Sequence, residues 1–273
     1  MGSAGFRFHG SLEDHLRPSR RGSAQAYPFD GRPAVKDAIE ALGVPHPEVD
    51  VILVNGAAVD FAYRLRDGDR VEVHPMGDWP ARAAGVHGTG APQATVRVGS
   101  VPAPAVRVGP PPLAEPRFVL DTHLGRLAAY LRMLGFDTRY ATDAADERLA
   151  RCSADEQRVL LTRDRGLLKR GAVVYGYYVR AVWPRAQLRE VVVRFGLPPL
   201  AAPFSRCIRC NGRLEAVERE QVRAELPPRT LRYYDTFRRC ASCGAVYWAG
   251  SHQRRMRRLV AEVLGDTEAA DRE

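Results

Sequence analysis

The chain has 273 residues, 45% of them hydrophobic, and a formal charge of +9, enough for two or three compact units with real cores. No window approaches the roughly 18 apolar residues of a membrane span, and the Gly-rich, polar N-terminus lacks the apolar run of a secretory signal. A cytoplasmic protein without membrane contact is therefore expected. The charge is uneven: residues 1–75 carry 9 Lys/Arg against 11 Asp/Glu, residues 118–205 carry 14 against 9, and residues 206–264 carry 13 against 6. A basic C-terminal half suits a polyanion such as RNA. Only Lys36 and Lys169 are lysines, however, and an arginine bias of this kind also follows from genomic base composition.

Residues 5–75 read as a small α/β unit. Phe6–Phe8 and Ala26–Phe29 are short strands, and Val35, Ala38, Ile39 and Leu42 repeat at helical spacing before Gly43 ends the helix. Val49–Val54 is a strand closed by the turn pair Asn55-Gly56, and Arg70–His74 alternates as a further strand. Strands, a helix, then more strands is the order of a β-grasp sheet. The unit resembles the ubiquitin-like sulfur carriers in Val54–Gly56 and Gly68–Val73, yet it runs on into Pro75-Met76-Gly77-Asp78 in place of a Gly-Gly tail. Docking of a protein partner is the expected role, without thiocarboxylate chemistry.

Residues 76–116 are Pro-, Gly- and Ala-rich and read as a linker, with Ala94–Val98 and Ala105–Val108 as weak strands. From residue 117 strand and helix alternate, which predicts a doubly wound α/β domain over 117–205. Strands are expected at Arg117–Leu120, Thr138–Ala141 and Val159–Leu161, and extended chain at Ala172–Tyr175 and Tyr177–Arg180. Helices are expected at Leu124–Leu134, Asp146–Ala154, Arg165–Lys169 and Pro184–Phe195. Asp121 and Asp164 each follow an apolar run, at strand ends that line the ligand crevice of an open parallel sheet. With Asp146 or Glu147 at the head of the intervening helix, they form an all-oxygen set of the kind magnesium or manganese takes. Each aspartate also precedes a helix, so a plain N-cap competes with this reading.

Cys207-Ile-Arg-Cys210 and Cys240-Ala-Ser-Cys243 are two CxxC pairs 29 residues apart. Four thiolates so arranged suit one tetrahedral, structural zinc; an iron–sulfur site is the alternative. The fifth cysteine, Cys152, reads as a core residue on a helix. Residues 206–264 are thus a zinc ribbon with a closing helix. That helix sets Met256, Leu259, Val260, Val263 and Leu264 on one side, and Arg254, Arg255, Arg257 and Arg258 on the other, facing RNA phosphate. For Tyr247 and Trp248, burial against the ribbon is favoured over stacking on bases. Residues 265–273 read as a disordered tail.

Residues 117–264 resemble the Mut-seven C-terminal RNase family, a PIN-like ribonuclease branch with an appended zinc ribbon. The matching pieces are Phe118–Asp121 with Leu124–Ala128, Leu134–Thr138, Leu160–Arg165, the two CxxC pairs, and Tyr247–His252. The unit at 5–75 resembles the ubiquitin-like module joined ahead of that domain. The resemblance implies a metal-dependent ribonuclease with Asp121, Asp146 and Asp164 as its acidic set and Glu147 or Asp143 as a fourth member. Arg163, Arg165 and Lys169 would neutralise charge on the RNA, and no nucleotide cofactor is implied. The stretch Ala172–Arg180 carries no acidic residue, which favours the alternative of a non-catalytic RNA-binding adaptor.

Overall fold

The structure is a computed structural model and describes residues 1–77 and 107–265. The expected weak strand Ala94–Val98, most of the linker and nearly all of the C-terminal tail lie outside the described residues. The chain divides into two compact units, Met1–Ala114 with Asp146–Tyr178, and Glu115–Ala145 with Val179–Glu273.

In the first unit β1 (Gly2–Phe8), β2 (Gln25–Phe29), β3 (Val49–Val54), β4 (Ala57–Val59) and β5 (Arg70–Pro75) form a sheet in the order β2-β1-β5-β3-β4. The central pair β1–β5 is parallel and the other neighbours are antiparallel. Helix α1 (Val35–Ala41) buries Val35, Ala38 and Ile39 on the sheet. Val35 and Ile39 each contribute roughly 1.5–3 kcal/mol of burial. Phe6, Phe8, Ile52, Leu65, Val71 and Val73 complete the core. The β3–β4 hairpin turns on Asn55 (φ 51°) and Gly56 (φ 84°), the pair of left-handed residues that the strand twist selects. Met76 N–H donates to Glu48 O at 2.8 Å, and the returning chain pairs Val108 N–H with Asp50 O at 2.8 Å. Arg107 makes an isolated bridge to Val51, so the predicted strand over 105–108 is, in its described part, a single rung.

The same unit holds α3 (Asp146–Asp155), β8 (Val159–Thr162), α4 (Arg165–Leu168) and β9 (Gly176–Tyr178), with β8 and β9 parallel. All four residues of β8 are buried, as its continuous apolar run implies. Ala172–Tyr175, expected to be extended, is instead a turn region in which Val173 N–H returns to Arg170 O at 2.9 Å. This turn delivers β9 to the β-grasp sheet.

Polar contacts, buried to part-buried, join these two segments. Glu48, 4% exposed, lies at their centre. Its Oε2 is 2.9 Å from His15 Nε2, and its Oε1 accepts the Tyr178 N–H at 2.6 Å. His46 bridges Glu40 (2.6 Å) and Val173 O (2.9 Å). Arg165 donates to His15 O (3.0 Å) and Asp14 O (3.3 Å) and stacks over Tyr178, while Lys169 donates to Glu40 O at 2.6 Å.

In the second unit β6 (Phe118–Leu120) and β7 (Thr138–Tyr140) are parallel and are joined by α2 (Gly125–Met133). Phe118 packs edge-on against Phe136 and Phe195, the latter from α5 (Pro184–Phe195). Gly135 ends α2 at φ 95°, and a Cβ there would meet Ala202 O at 2.2 Å. Beyond α5 come β10 (Leu214–Val217), β11 (Phe237–Cys240) and β12 (Val246–Trp248), an antiparallel three-stranded ribbon among the described residues. Two short helices, α6 (Arg219–Val222) and α7 (Pro228–Tyr233), fill the interval between the CxxC pairs. Helix α8 (Ser251–Leu264) closes the unit, packing on α5 with an Arg189–Glu262 ion pair. No helix among the described residues is long and apolar enough to cross a membrane.

Glu48→Ala should lower unfolding stability by about 3 kcal/mol, because His15 and the Tyr178 N–H lose a buried partner. Urea denaturation of the full chain checks this. Glu48→Gln, which keeps an amide acceptor, should cost less.

Candidate functional site

The four cysteines converge in the ribbon. Cys207 Sγ lies 3.7 Å from Cys243 Sγ, and Cys210 Sγ lies 3.4 Å from Cys240 Sγ. All four sulfurs fall within 4.8 Å of one another. A tetrahedral ion with metal–sulfur bonds of about 2.3 Å separates its sulfurs by about 3.8 Å, so the donor set fits an ion such as zinc. Burial opposes ionisation of Cys207, but the Tyr247 hydroxyl at 3.0 Å and the N–H groups of Cys210 and Arg209 bring its thiol down to about 6. Cys210 accepts from Gly212 N–H, yet burial and the neighbouring thiols push it up to about 12. Four thiols this close cannot all ionise unless a cation neutralises them.

The residues that hold this cluster are not cysteines. Arg132, buried on α2, donates to Thr138 O (2.9 Å), Ile208 O (3.3 Å) and Arg209 O (2.9 Å), tying the first CxxC turn to the α/β layer. Asn211 adopts φ 71°, accepts the Thr138 N–H at 3.0 Å and donates to Asp137 Oδ1 at 2.8 Å. A Cβ on Gly212 would meet Cys240 Sγ at 2.7 Å, so only glycine lets the backbone pass beside the sulfur. A lone arginine on the apolar side of a predicted helix was the available signal for Arg132. Asn211 and Gly212, directly behind a CxxC, were the signal for the turn.

The expected acidic residues are found on both units. In the first, Asp164 is exposed at the end of β8 and caps α4, its Oδ1 accepting from Gly166 N–H (2.7 Å) and Leu167 N–H (3.4 Å). Asp146 and Glu147 open α3 beside Arg170, at 3.7 and 2.9 Å. A hydrogen bond from its own backbone N–H and the Arg170 guanidinium hold the Glu147 carboxyl below its usual range. In the second unit Asp121, 4% exposed, ends β6 and accepts the His123 N–H at 2.8 Å. Both strand-end aspartates therefore serve as caps, and a capping bond on one oxygen fixes the direction of the other. Among the described residues, four cysteines and the trio His9, Glu72 and His74 are the groups with ligand atoms within 4.8 Å of one another.

Of the basic residues expected to face RNA, Arg165 and Lys169 donate to β-grasp carbonyls, as described above, and Arg163 has partners within the protein. Arg254, Arg255, Arg257 and Arg258 are exposed on α8, and Leu259 and Val260 are buried behind them. Beside the ribbon lies a groove of about 570 Å³ whose walls include Phe204, Trp248, Met256, Arg206, Arg238 and Arg257. Tyr247 and Trp248 are half-buried in it, an intermediate state between the two the sequence suggested. Cys152 is also half-buried, with its sulfur 3.7 Å from Glu156.

Residues 116–260 match the Mut7-C RNAse domain, and residues 1–79 match the Mut7-C ubiquitin domain. The chain belongs to the Mut7-C family. Comparison with curated proteins and with solved structures returned no match. The Mut7-C match spans the parallel strands, the strand-end aspartates and the whole four-cysteine cluster. The ubiquitin-like match ends at residue 79, just past the Met76 N–H that is tied to Glu48 O.

For this Mut7-C chain, loading with cobalt should give a thiolate-to-cobalt charge-transfer band, and Cys240→Ser should remove or strongly weaken it. A band of unchanged strength in the variant would exclude Cys240 as a ligand.

Proposed function

We propose that the protein is a metal-dependent ribonuclease. The observation that carries the reading is Asp164: an exposed carboxylate at the end of a buried parallel strand, aimed by two backbone N–H groups, within the segment matching the Mut7-C RNAse domain. Asp121 also ends a parallel strand, β6, as a buried cap that accepts one backbone N–H, and Asp146 with Glu147 adds carboxylates at the head of a helix. These oxygen donors have the chemistry of a magnesium or manganese site, with Asp121, Asp146 and Asp164 as its ligands. Such an ion, when bound, would activate water and neutralise the phosphodiester.

The chain's own residues supply orientation. Arg170 neutralises Asp146 and Glu147 in the protein as it stands, and it is the group an incoming cation would displace. Arg165 and Lys169 brace the helix that Asp164 caps, so in this reading they position the carboxylate. Contact with RNA falls to the groove and to α8. Trp248 and Phe204 offer stacking faces, and Arg206, Arg238 and Arg257 offer phosphate contacts beside them. The four cysteines hold a structural zinc that fixes the groove's wall, and the ubiquitin-like domain takes a protein partner. The adaptor reading keeps the same RNA surface without cleavage. The lack of an acidic residue over 172–180 favours it.

Asp121→Asn and Asp164→Asn should each lower manganese-dependent RNA cleavage at least about a hundredfold, since each removes a ligand charge. RNA binding should survive. A wild-type protein that binds RNA but never cleaves it with manganese or magnesium is the adaptor. Trp248→Ala should weaken RNA binding roughly 5- to 150-fold if a base stacks there, measured by fluorescence anisotropy at fixed salt.

A further inference from the structure

A second cluster of metal-ligating side chains stands on the β-grasp sheet, apart from the cysteines. His9 follows β1, and its N–H donates to Val73 O at 3.0 Å, extending the β1–β5 ladder by one rung. Strand alternation turns Phe8 and Val73 into the core, so His9, Glu72 and His74 occupy the opposite face. The two imidazoles stack with centroids 4.3 Å apart and planes inclined by 2°. Both Nε2 atoms are buried and lack a hydrogen-bond partner; Glu72 Oε2 stands 3.5 Å from one and 3.8 Å from the other. Two buried imidazole nitrogens beside a carboxylate are costly when nothing joins them.

We propose that His9, Glu72 and His74 form a binding site for a borderline transition-metal ion, zinc, cobalt or nickel, on the ubiquitin-like domain. Two imidazoles and one carboxylate are a recognised donor set for such ions, and three protein ligands leave one position for water or an incoming ligand. Burial holds both histidines below their usual range, which keeps a nitrogen lone pair available near neutral pH. The three ligand atoms already lie within 4.8 Å of one another. Reaching the roughly 3.3 Å edges of a tetrahedral N/O site requires the stacked rings to turn toward a shared point, and Glu72, with a side chain 53% exposed, has room to follow.

The test uses the full chain, stripped of metal, reloaded with cobalt and desalted. Wild-type protein should retain two equivalents, and a His9→Gln/His74→Gln chain one. The difference spectrum should show nitrogen- and oxygen-ligated cobalt without the thiolate charge-transfer band. Glu72→Gln, which leaves both imidazoles in place, should weaken the second equivalent at least about tenfold, and it serves as the readout if the double variant misfolds. Equal retention by wild type and the histidine variant, or loss of the second equivalent on the desalting column, overturns the site as an adventitious ion only. A tenfold-unaffected Glu72→Gln chain removes Glu72 from the ligand set and overturns the proposal as stated.

Discussion

Glu48 is the constraint on which the first unit depends. A carboxylate at 4% exposure is unfavourable unless every lone pair is answered, and the answers come from far along the chain. His15 lies 33 residues before it and Tyr178 130 residues after it. The backbone N–H of Tyr178 is an edge group of a three-residue strand, which a partner of the wrong register would leave unpaired. Glu48 thus does for β9 what a neighbouring strand would do, and it also holds Met76 at the end of β5 through its carbonyl. Arg165, Lys169 and His46 add charge-assisted and carbonyl contacts around it.

This arrangement gives the ubiquitin-like domain a role inside the chain. Asp164 and Arg165 are consecutive, one aimed by the helix it caps and the other anchored on the carbonyls of Asp14 and His15. Any movement of the β-grasp sheet against α4 would be felt one peptide bond from the carboxylate. Beyond β5, Met76 is hydrogen-bonded to Glu48 O just ahead of β3, and Val108 to Asp50 O within β3. The same sheet carries the histidine pair on its outer face, so folding of the β1–β5 ladder is also what brings His9 beside His74.

In the second unit the corresponding constraint is the sulfur cluster. Two CxxC turns supply the donors, but Arg132 and Asn211 decide where the first turn sits, by hydrogen bonds to its carbonyls and to the edge of β7. The ribbon is therefore continuous with the α/β layer that carries Asp121. Its other flank carries Trp248 and the groove-lining arginines.

Periodicity and punctuation made most elements legible in the sequence: the α1 stripe, the Asn55-Gly56 hairpin, the buried runs of β6 and β8, and the doubled CxxC are all local patterns with local causes. The chemistry of the cysteines was legible for the same reason, since a CxxC turn presents its two sulfurs wherever it lies. Partners were not. Arg165 and Lys169 read as phosphate ligands because a charge in a sequence shows its sign and not its neighbour, and the tertiary structure gave them carbonyls 129 to 151 residues away. His15 and Glu48 look unremarkable in one dimension, and Arg132 and Asn211 carry only a faint local signal; all four become central when long-range burial forces each polar atom to find a mate. Folding also set His9 against Glu72 and His74, because parallel strand register joins residues that no local spacing connects.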